Sequence, residues 1–554
     1  MKLNVFHIFL LIVFFQTPFY SALAQNPEYW FYITAKEESF NPPFQKKNNV
    51  LQYSGLNQDL QKILANYDIY SFKKTYRNAK KEDLQKTFFV RCNKGSLLQE
   101  LLEELPQIFI KGQEIPIEEQ KIFEPNDYGL TSTVGENLGF QVNLDYYDFL
   151  NLPKAWYYTT GTKNTIVGIS DGAVDSTNIE FKGKTKVYRK APFSNGHGVS
   201  QAATAVAQGN NAYGFPGVCY DCGLFTTNYG YYQDFNQLIE LSNEGARVIN
   251  CSWIGRKYFE TAQKAIDSMY AKGTLIVASA GNDDWIKGNK GELKYYPASY
   301  DKVISVSSGM YKYEKPEDNI LYMKESNQPY VVNIRGYVGR TAGFKDNKVE
   351  NGIQFAYAQS VAVLNKEVDI LAPTVDIFSY AGYLLNNNTI KYNQFETTSG
   401  ASPFVSGTIG LMFSLYPCLP VDEVESILKM TSWNIDHIEA NAPYRGMYGA
   451  GMLQTGDAVE MVFQLYNENE TAYIDHQNFS RWDFKITSLS KEIIIQNQKF
   501  TDSATLKLTA KNSIVLKENT VLKPDAKGKI SLKINPKLKK ECDLVLRDPS
   551  ILND

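Results

Sequence analysis

Thr397-Thr398-Ser399-Gly400-Ala401-Ser402-Pro403 decides how this chain is read. This small polar turn runs straight into an apolar segment at 404–415, with Pro403 expected in the first turn of the helix that segment forms. Proline is tolerated there because a first-turn amide has no helix partner. A hydroxyl at the start of a buried helix sits among free N–H groups at the positive end of the helix dipole. That setting suits a nucleophile that must carry developing negative charge. Alone, a serine here reads as a helix cap; three other segments argue for more.

From about 140 to 460, short apolar runs at 165–169, 248–251, 275–280 and 303–306 read as buried strands, separated by helix-length patterns such as 261–272. This alternation predicts an α/β domain layered around a mostly parallel sheet. Active sites in such sheets gather at the carboxyl ends of strands, and Asp171 and Asn282 each follow a strand run closely.

Asp171 opens the turn Asp-Gly-Ala-Val-Asp, His197 opens a run of small residues, His-Gly-Val-Ser-Gln-Ala-Ala, and Asn282 ends Ala-Gly-Asn. Singly, these read as a turn aspartate, a structural histidine and a turn asparagine. Together they supply an orienting acid, a base with a pKa near 7, an amide donor for an oxyanion and a hydroxyl nucleophile. In that order, each in its own context, Asp171, His197, Asn282 and Ser399 resemble the subtilisin-like serine proteases, the subtilase family. The family's Asp-Thr-Gly-Ile-Asp stands here as Asp171-Gly-Ala-Val-Asp175, its histidine helix as His197-Gly-Val-Ser-Gln-Ala-Ala203, and its serine motif as residues 397–403. Residues 248–252, Tyr296-Pro297, Ala372-Pro373 and 448–453 agree with its connecting segments.

The resemblance implies a secreted serine endopeptidase with a subtilisin-like three-layer domain, working through an acyl-enzyme. Ser399 attacks, His197 moves the proton and Asp171 orients the imidazole. Asn282, the Ser399 N–H and the Thr398 hydroxyl hold the oxyanion. Ser252, Trp253 and Ile254 on one side, and Ala280 and Gly281 on the other, flank the bound peptide as an added strand. Four departures from the family pattern bear on substrate preference: Gly172-Ala173 after the acid, Val199-Ser200 after the histidine, Thr397 before the serine, and Ile254 on the cleft wall. The alternatives are a binding protein on a subtilase scaffold and an esterase or lipase. The second rests on Gly168-Ile-Ser170-Asp-Gly172, a formal Gly-x-Ser-x-Gly that no helical pattern follows.

Residues 1–24 read as a signal peptide, with Lys2, an apolar run at 8–15 and Ala22-Leu23-Ala24; the expected location is secreted, periplasmic or at the cell surface. The run is too short to span a bilayer. Residues 25–125 form a small α+β module, which the resemblance makes an inhibitory propeptide; 126–460 is the catalytic domain and 461–554 a small all-β domain of period-two strands. Residues 309–366 are an expected insertion.

With a net charge of −3 the chain shows no basic surplus for nucleic acid, and the lysines at 537–540 read as solvated surface. The expected partners are protein or peptide substrates and the chain's own propeptide. Of six cysteines, Cys219 and Cys222 are expected to form a local disulfide. No cofactor is required. Structural calcium is a family trait, but no acidic loop locates it and no metal ligand is named.

Overall fold

A computed structural model of the chain describes residues 29–47, 50–75, 82–116, 120–128, 133–134, 142–191, 196–211, 213–282, 293–322, 325–331, 333–339, 341–355, 362–381, 391–392 and 397–547. The expected signal segment lies outside them. The chain forms two compact units, 1–120 and 121–554.

In the first unit six antiparallel strands, β1 (Tyr29–Ala35), β2 (Phe44–Lys47), β3 (Val50–Tyr53), β4 (Ile69–Lys74), β5 (Thr87–Cys92) and β6 (Phe109–Glu114), lie in the order β2-β3-β4-β5-β1-β6. Helices α1 (Gln58–Leu64) and α2 (Ser96–Glu104) share one core with this sheet, in which Leu60, Ile63, Leu97 and Leu101 meet Phe31, Ile33, Phe88 and Val90. Asn57 caps α1 by accepting from the Leu60 N–H at 2.9 Å. This is the α+β module the sequence announced.

The second unit is built on seven parallel strands: β7 (Ile166–Ser170), β8 (Thr185–Val187), β9 (Gly223–Thr227), β10 (Ala246–Cys251), β11 (Leu275–Ser279), β12 (Val303–Gly309) and β13 (Ile370–Pro373). They run in the order β8-β9-β7-β10-β11-β12-β13. The strands are apolar on both faces because both are covered. Val248 and Val277 join the core under the central helices, while their neighbours Ile249 and Ile276 join a second core on the opposite face. That second core is closed by α5 (Asn236–Asn243) and α6 (Glu260–Ala271). On the first face the long helix α7 (Thr398–Leu415) crosses β10 to β13, flanked by α4 (His197–Val206) and α9 (Thr455–Tyr466); α3 (Leu152–Tyr158) packs on α9, and α8 (Val421–Met430) follows α7. Of the expected insertion, the described part holds two short hairpins, Leu321–Tyr322 with Pro329–Tyr330 and Thr341–Phe344 with Ile353–Phe355.

The C-terminal strands stack on one another in parallel. Each of three coils contributes one strand to each of three sheets: β14 (Thr471–Asp475), β15 (Asn478–Phe479) and β16 (Asp483–Ser488), then β17 (Glu492–Gln496), β18 (Lys499–Asp502) and β19 (Thr505–Ala510), then β20 (Ile514–Leu516), β21 (Val521–Pro524) and β22 (Lys529–Ile534). The sheets are β14-β17-β20, β15-β18-β21 and β16-β19-β22. Inward residues stack in columns, Ile474 on Ile495, Phe479 on Phe500 and Ile486 on Leu508. One corner repeats at His476, Asn497 and Asn519, all at positive φ, and the Asn519 amide donates to Asn497 Oδ1 at 3.0 Å. Asparagine tolerates that left-handed conformation. The interior of this solenoid is continuous with the core of the layered part. Cys219 pairs with Cys222 as expected, and Cys418 pairs with Cys542, fixing the segment after the solenoid near the end of α7. Among the described residues no helix is long and apolar enough to cross a membrane.

Candidate active site

Asp171 follows β7 directly and is fully buried. His197 opens α4 behind Gly196, which takes the left-handed conformation at φ 76°. A side chain at Gly198 would put its Cβ 2.2 Å from the Gly172 carbonyl oxygen. The close approach that glycine permits seats the start of α4 on the turn after Asp171. His197 Nδ1 then lies 2.7 Å from Asp171 Oδ1, leaving Nε2 on the far side of the ring.

Asp171 Oδ1 also accepts from the Gly172 N–H at 2.6 Å and from the Tyr229 hydroxyl at 3.2 Å. Oδ2 is buried and finds no hydrogen bond. Burial and the Asp171 charge hold the Tyr229 hydroxyl well above its ordinary pKa, so it stays a donor. Burial pulls the His197 pKa down, but the hydrogen bond and charge of Asp171 outweigh it and the net shift is upward from 6.5. Gln201, one turn along α4, brings its amide nitrogen to 3.5 Å from His197 Nε2.

Ser399 is the second residue of α7, half-buried, with its Oγ 3.2 Å from the Ser252 carbonyl oxygen. The helix starts at Thr398, so Pro403 lies beyond the first turn, contrary to the sequence expectation. A proline six residues in leaves the carbonyl four residues earlier without its helical donor, and that carbonyl belongs to Ser399. Ser252 supplies the missing bond, its Oγ donating to the Ser399 oxygen at 3.1 Å. Around it, Asn250 Nδ2 reaches Ser252 Oγ at 2.8 Å, Ser402 Oγ lies 2.8 Å from it, and Ser406 Oγ donates to Asn250 Oδ1 at 3.1 Å. The end of β10 thus grips the backbone of Ser399 through a buried polar network, which rigidifies because it is satisfied.

Asn282 follows β11 and is exposed. Its Oδ1 accepts from the Thr398 N–H at 2.7 Å and from the Thr398 hydroxyl at 2.9 Å. A backbone N–H can only donate, so the carboxamide orientation is settled: oxygen towards Thr398, the NH₂ group turned away from it as an available donor.

The Thr398 hydroxyl, expected as an oxyanion donor, uses its only hydrogen on Asn282 and accepts from the Gly281 N–H at 3.0 Å. It positions Asn282 instead. Ser252, Trp253, Ala280 and Gly281 are buried and Ile254 half-buried. The Ser252 side chain points to α7, and the Trp253 indole donates to Ser170 Oγ at 3.2 Å. Ser170, the nucleophile of the esterase alternative, is fully buried, and its hydroxyl donates to the Asn228 carbonyl at 2.9 Å. No helix follows it directly.

Tyr229 and Gln201 were not singled out by the sequence. Tyr229 supplies Asp171 with the hydroxyl that Gly172 and Ala173 lack, from a loop 58 residues away; no local signal marks it. Among the described residues no group of three or more His, Cys, Asp and Glu comes together as a metal site.

Comparison with known proteins gives the family. Residues 162–462 match the model of the subtilase family. Subtilisin DY of Bacillus licheniformis is 27% identical over 286 residues, covering 49% of this chain and 85% of that protein. Fervidolysin of Fervidobacterium pennivorans is 25% identical over 308 residues, covering 51% and 39%, and its crystal structure aligns at 17% identity and a TM-score of 0.38 over 78% of this chain and 61% of that one. A calcium-dependent protease of Trichormus variabilis is 25% identical over 392 residues, 63% of this chain and 54% of that protein. The family match takes in more than half of the chain; it belongs to the subtilase family and is a serine-type endopeptidase.

Proposed function

We propose that this enzyme cleaves peptide bonds outside the cytoplasm through Ser399, His197 and Asp171, with Asn282 and the Ser399 N–H as the oxyanion site. The observation that carries the reading is the 2.7 Å contact between a buried Asp171 and His197 Nδ1. It fixes the tautomer that leaves Nε2 unprotonated and able to accept a proton. His197 Nε2 takes the proton of Ser399 Oγ as Oγ bonds to the carbonyl carbon. The imidazolium then protonates the leaving amine, and the acyl-enzyme remains. Water, deprotonated by the same nitrogen, cleaves the ester and restores Ser399. Charge that develops on the carbonyl oxygen is met by the Asn282 NH₂ and the helix-start N–H. Donors held in place before reaction begins would stabilise that charge without reorganisation. The test is hydrolysis of an unfolded protein such as casein with burst kinetics on an ester substrate; no burst and no cleavage by folded protein would overturn the reading.

Asn282→Leu should lower kcat by about 10²–10³ with KM nearly unchanged. Equal losses in kcat and substrate affinity would instead make Asn282 a ground-state contact.

Residues 25–125 serve in this reading as a propeptide, and the mature enzyme begins near the 124–137 linker. N-terminal sequencing of exported protein checks it.

Calcium suits one buried place. Glu180 is fully buried with both carboxylate oxygens lacking hydrogen bonds. Burial, reinforced by the charge of Asp127, pushes its pKa up to about 9. Asp127 is raised by its own burial to about 6. Glu180 and Asp127 would be the carboxylates that hold the ion. Its charge would let both acids ionise, a structural role outside the bond-breaking steps. With chelator, a carboxyl whose folded pKa lies above its unfolded value costs stability as pH climbs from about 4.5 towards 9. Calcium should therefore raise Tm most near neutral and alkaline pH. Glu180→Gln should abolish that increment without lowering Tm in chelator. An increment that survives the substitution would place the ion elsewhere.

A further inference from the structure

The net charge of −3 conceals a polarised chain. Residues 505–540 carry ten lysines and two acids, a net +8, so the rest carries −11. The solenoid arranges part of this surplus on one sheet. On β16-β19-β22 the inward positions are apolar except Ser488, and the outward positions form three rows: Asp483, Lys485 and Thr487, then Thr505, Lys507 and Thr509, then Lys529, Ser531 and Lys533. Lys485 is neutralised by Asp422. Lys507, Lys529 and Lys533 are exposed, and no described carboxylate pairs with them. Strand spacing and rise put Lys507 roughly 8 Å from each of the other two, and those two about 13 Å apart.

We propose that this face binds an anionic polysaccharide bearing carboxylate or sulfate groups and so holds the enzyme on an acidic matrix. Three ammoniums that no described carboxylate pairs, fixed at their backbone on one sheet, attract a polyanion without reordering the backbone. Threonine and serine hydroxyls between them can donate to and accept from sugar hydroxyls. No aromatic side chain stands on the face, so it lacks the stacking platforms that hold single-stranded nucleic acid. No apolar side chain stands there to enter a bilayer, and a second copy meeting it face to face would present the same positive charge.

The test uses the full-length protein on immobilised heparin and polygalacturonate, probing sulfate and carboxylate separately. It compares wild type with Lys507→Gln/Lys529→Gln/Lys533→Gln and with Lys537→Gln/Lys539→Gln/Lys540→Gln, which removes the same charge off the face. Wild type should bind at low salt and release as salt rises. The face variant should bind about tenfold more weakly, with a salt slope shallower by roughly two to three. The off-face variant should stay within about twofold. Unaltered melting curves keep a folding defect from being mistaken for lost binding. Equal losses in both variants would reduce the effect to net charge and overturn the proposal, as would unchanged binding by the face variant. Face-dependent binding to duplex DNA or phosphatidylglycerol vesicles tighter than to either polysaccharide would replace it with a phosphate-bearing partner.

Discussion

Ser399→Ala should lower kcat about a million-fold while KM and Tm stay close to wild type. The large effect follows from losing the only atom that can form the acyl bond. The small effect on stability follows from what the substitution leaves intact. The Ser399 carbonyl keeps its bond from Ser252 Oγ, and Thr398 keeps its two bonds to Asn282. Only the 3.2 Å contact from Oγ to the Ser252 carbonyl is removed, at a half-buried position. The oxyanion donors remain in place, so a residual rate of roughly 10³–10⁴ over water should persist. Steady-state kinetics beside a melting curve checks both halves. Activity within about a hundredfold of wild type would show that Ser399 is not the nucleophile.

Asp171→Asn should cost about 10⁴ in kcat and move the acid limb of the pH profile downward. In the wild type His197 must be neutral to accept the serine proton, so kcat/KM rises with pH through an inflection above 6.5. Removing the carboxylate leaves burial unopposed, and the histidine pKa should fall below 6.5. Stability carries the same sign. A histidine whose folded pKa is raised stabilises the fold fully below 6.5 and loses that contribution as pH rises through the folded value. Asp171→Asn should reverse this dependence, because a histidine whose folded pKa lies below 6.5 costs stability as pH falls. A weakened variant whose acid limb does not move would mean that His197 is not the group that titrates.

Much of this site could be read in the chain because strand ends and helix starts are local events. Asp171 after an apolar run, His197 before a run of small residues and Asn282 after Ala-Gly announce their backbone settings within a few residues. The start of α7 could not be read in this way. Proline argues for a first turn at 403, and only a hydroxyl 147 residues away explains how the helix begins earlier. Tyr229 is hidden for the same reason, its partner being set by the pairing of β9 with β7. Glu180 looks like a solvated acid until the fold buries it. In the C-terminal part, alternation identified strands but not their neighbours. The missed signal is a repeat: Asp475-His-Gln-Asn-Phe479 stacks on Gln496-Asn-Gln-Lys-Phe500 in register, with Gln477 and Gln498 both buried.

The central claim is that Ser399 is the activated nucleophile of this subtilase, and covalent labelling tests it most directly. Folded, exported enzyme would be treated with a fluorophosphonate, digested and mapped by mass spectrometry. The account predicts one adduct, on the peptide carrying Ser399, that disappears in Ser399→Ala and is strongly slowed in Asp171→Asn. An adduct on Ser170, or none on protein shown to be folded and free of residues 25–125, would contradict it.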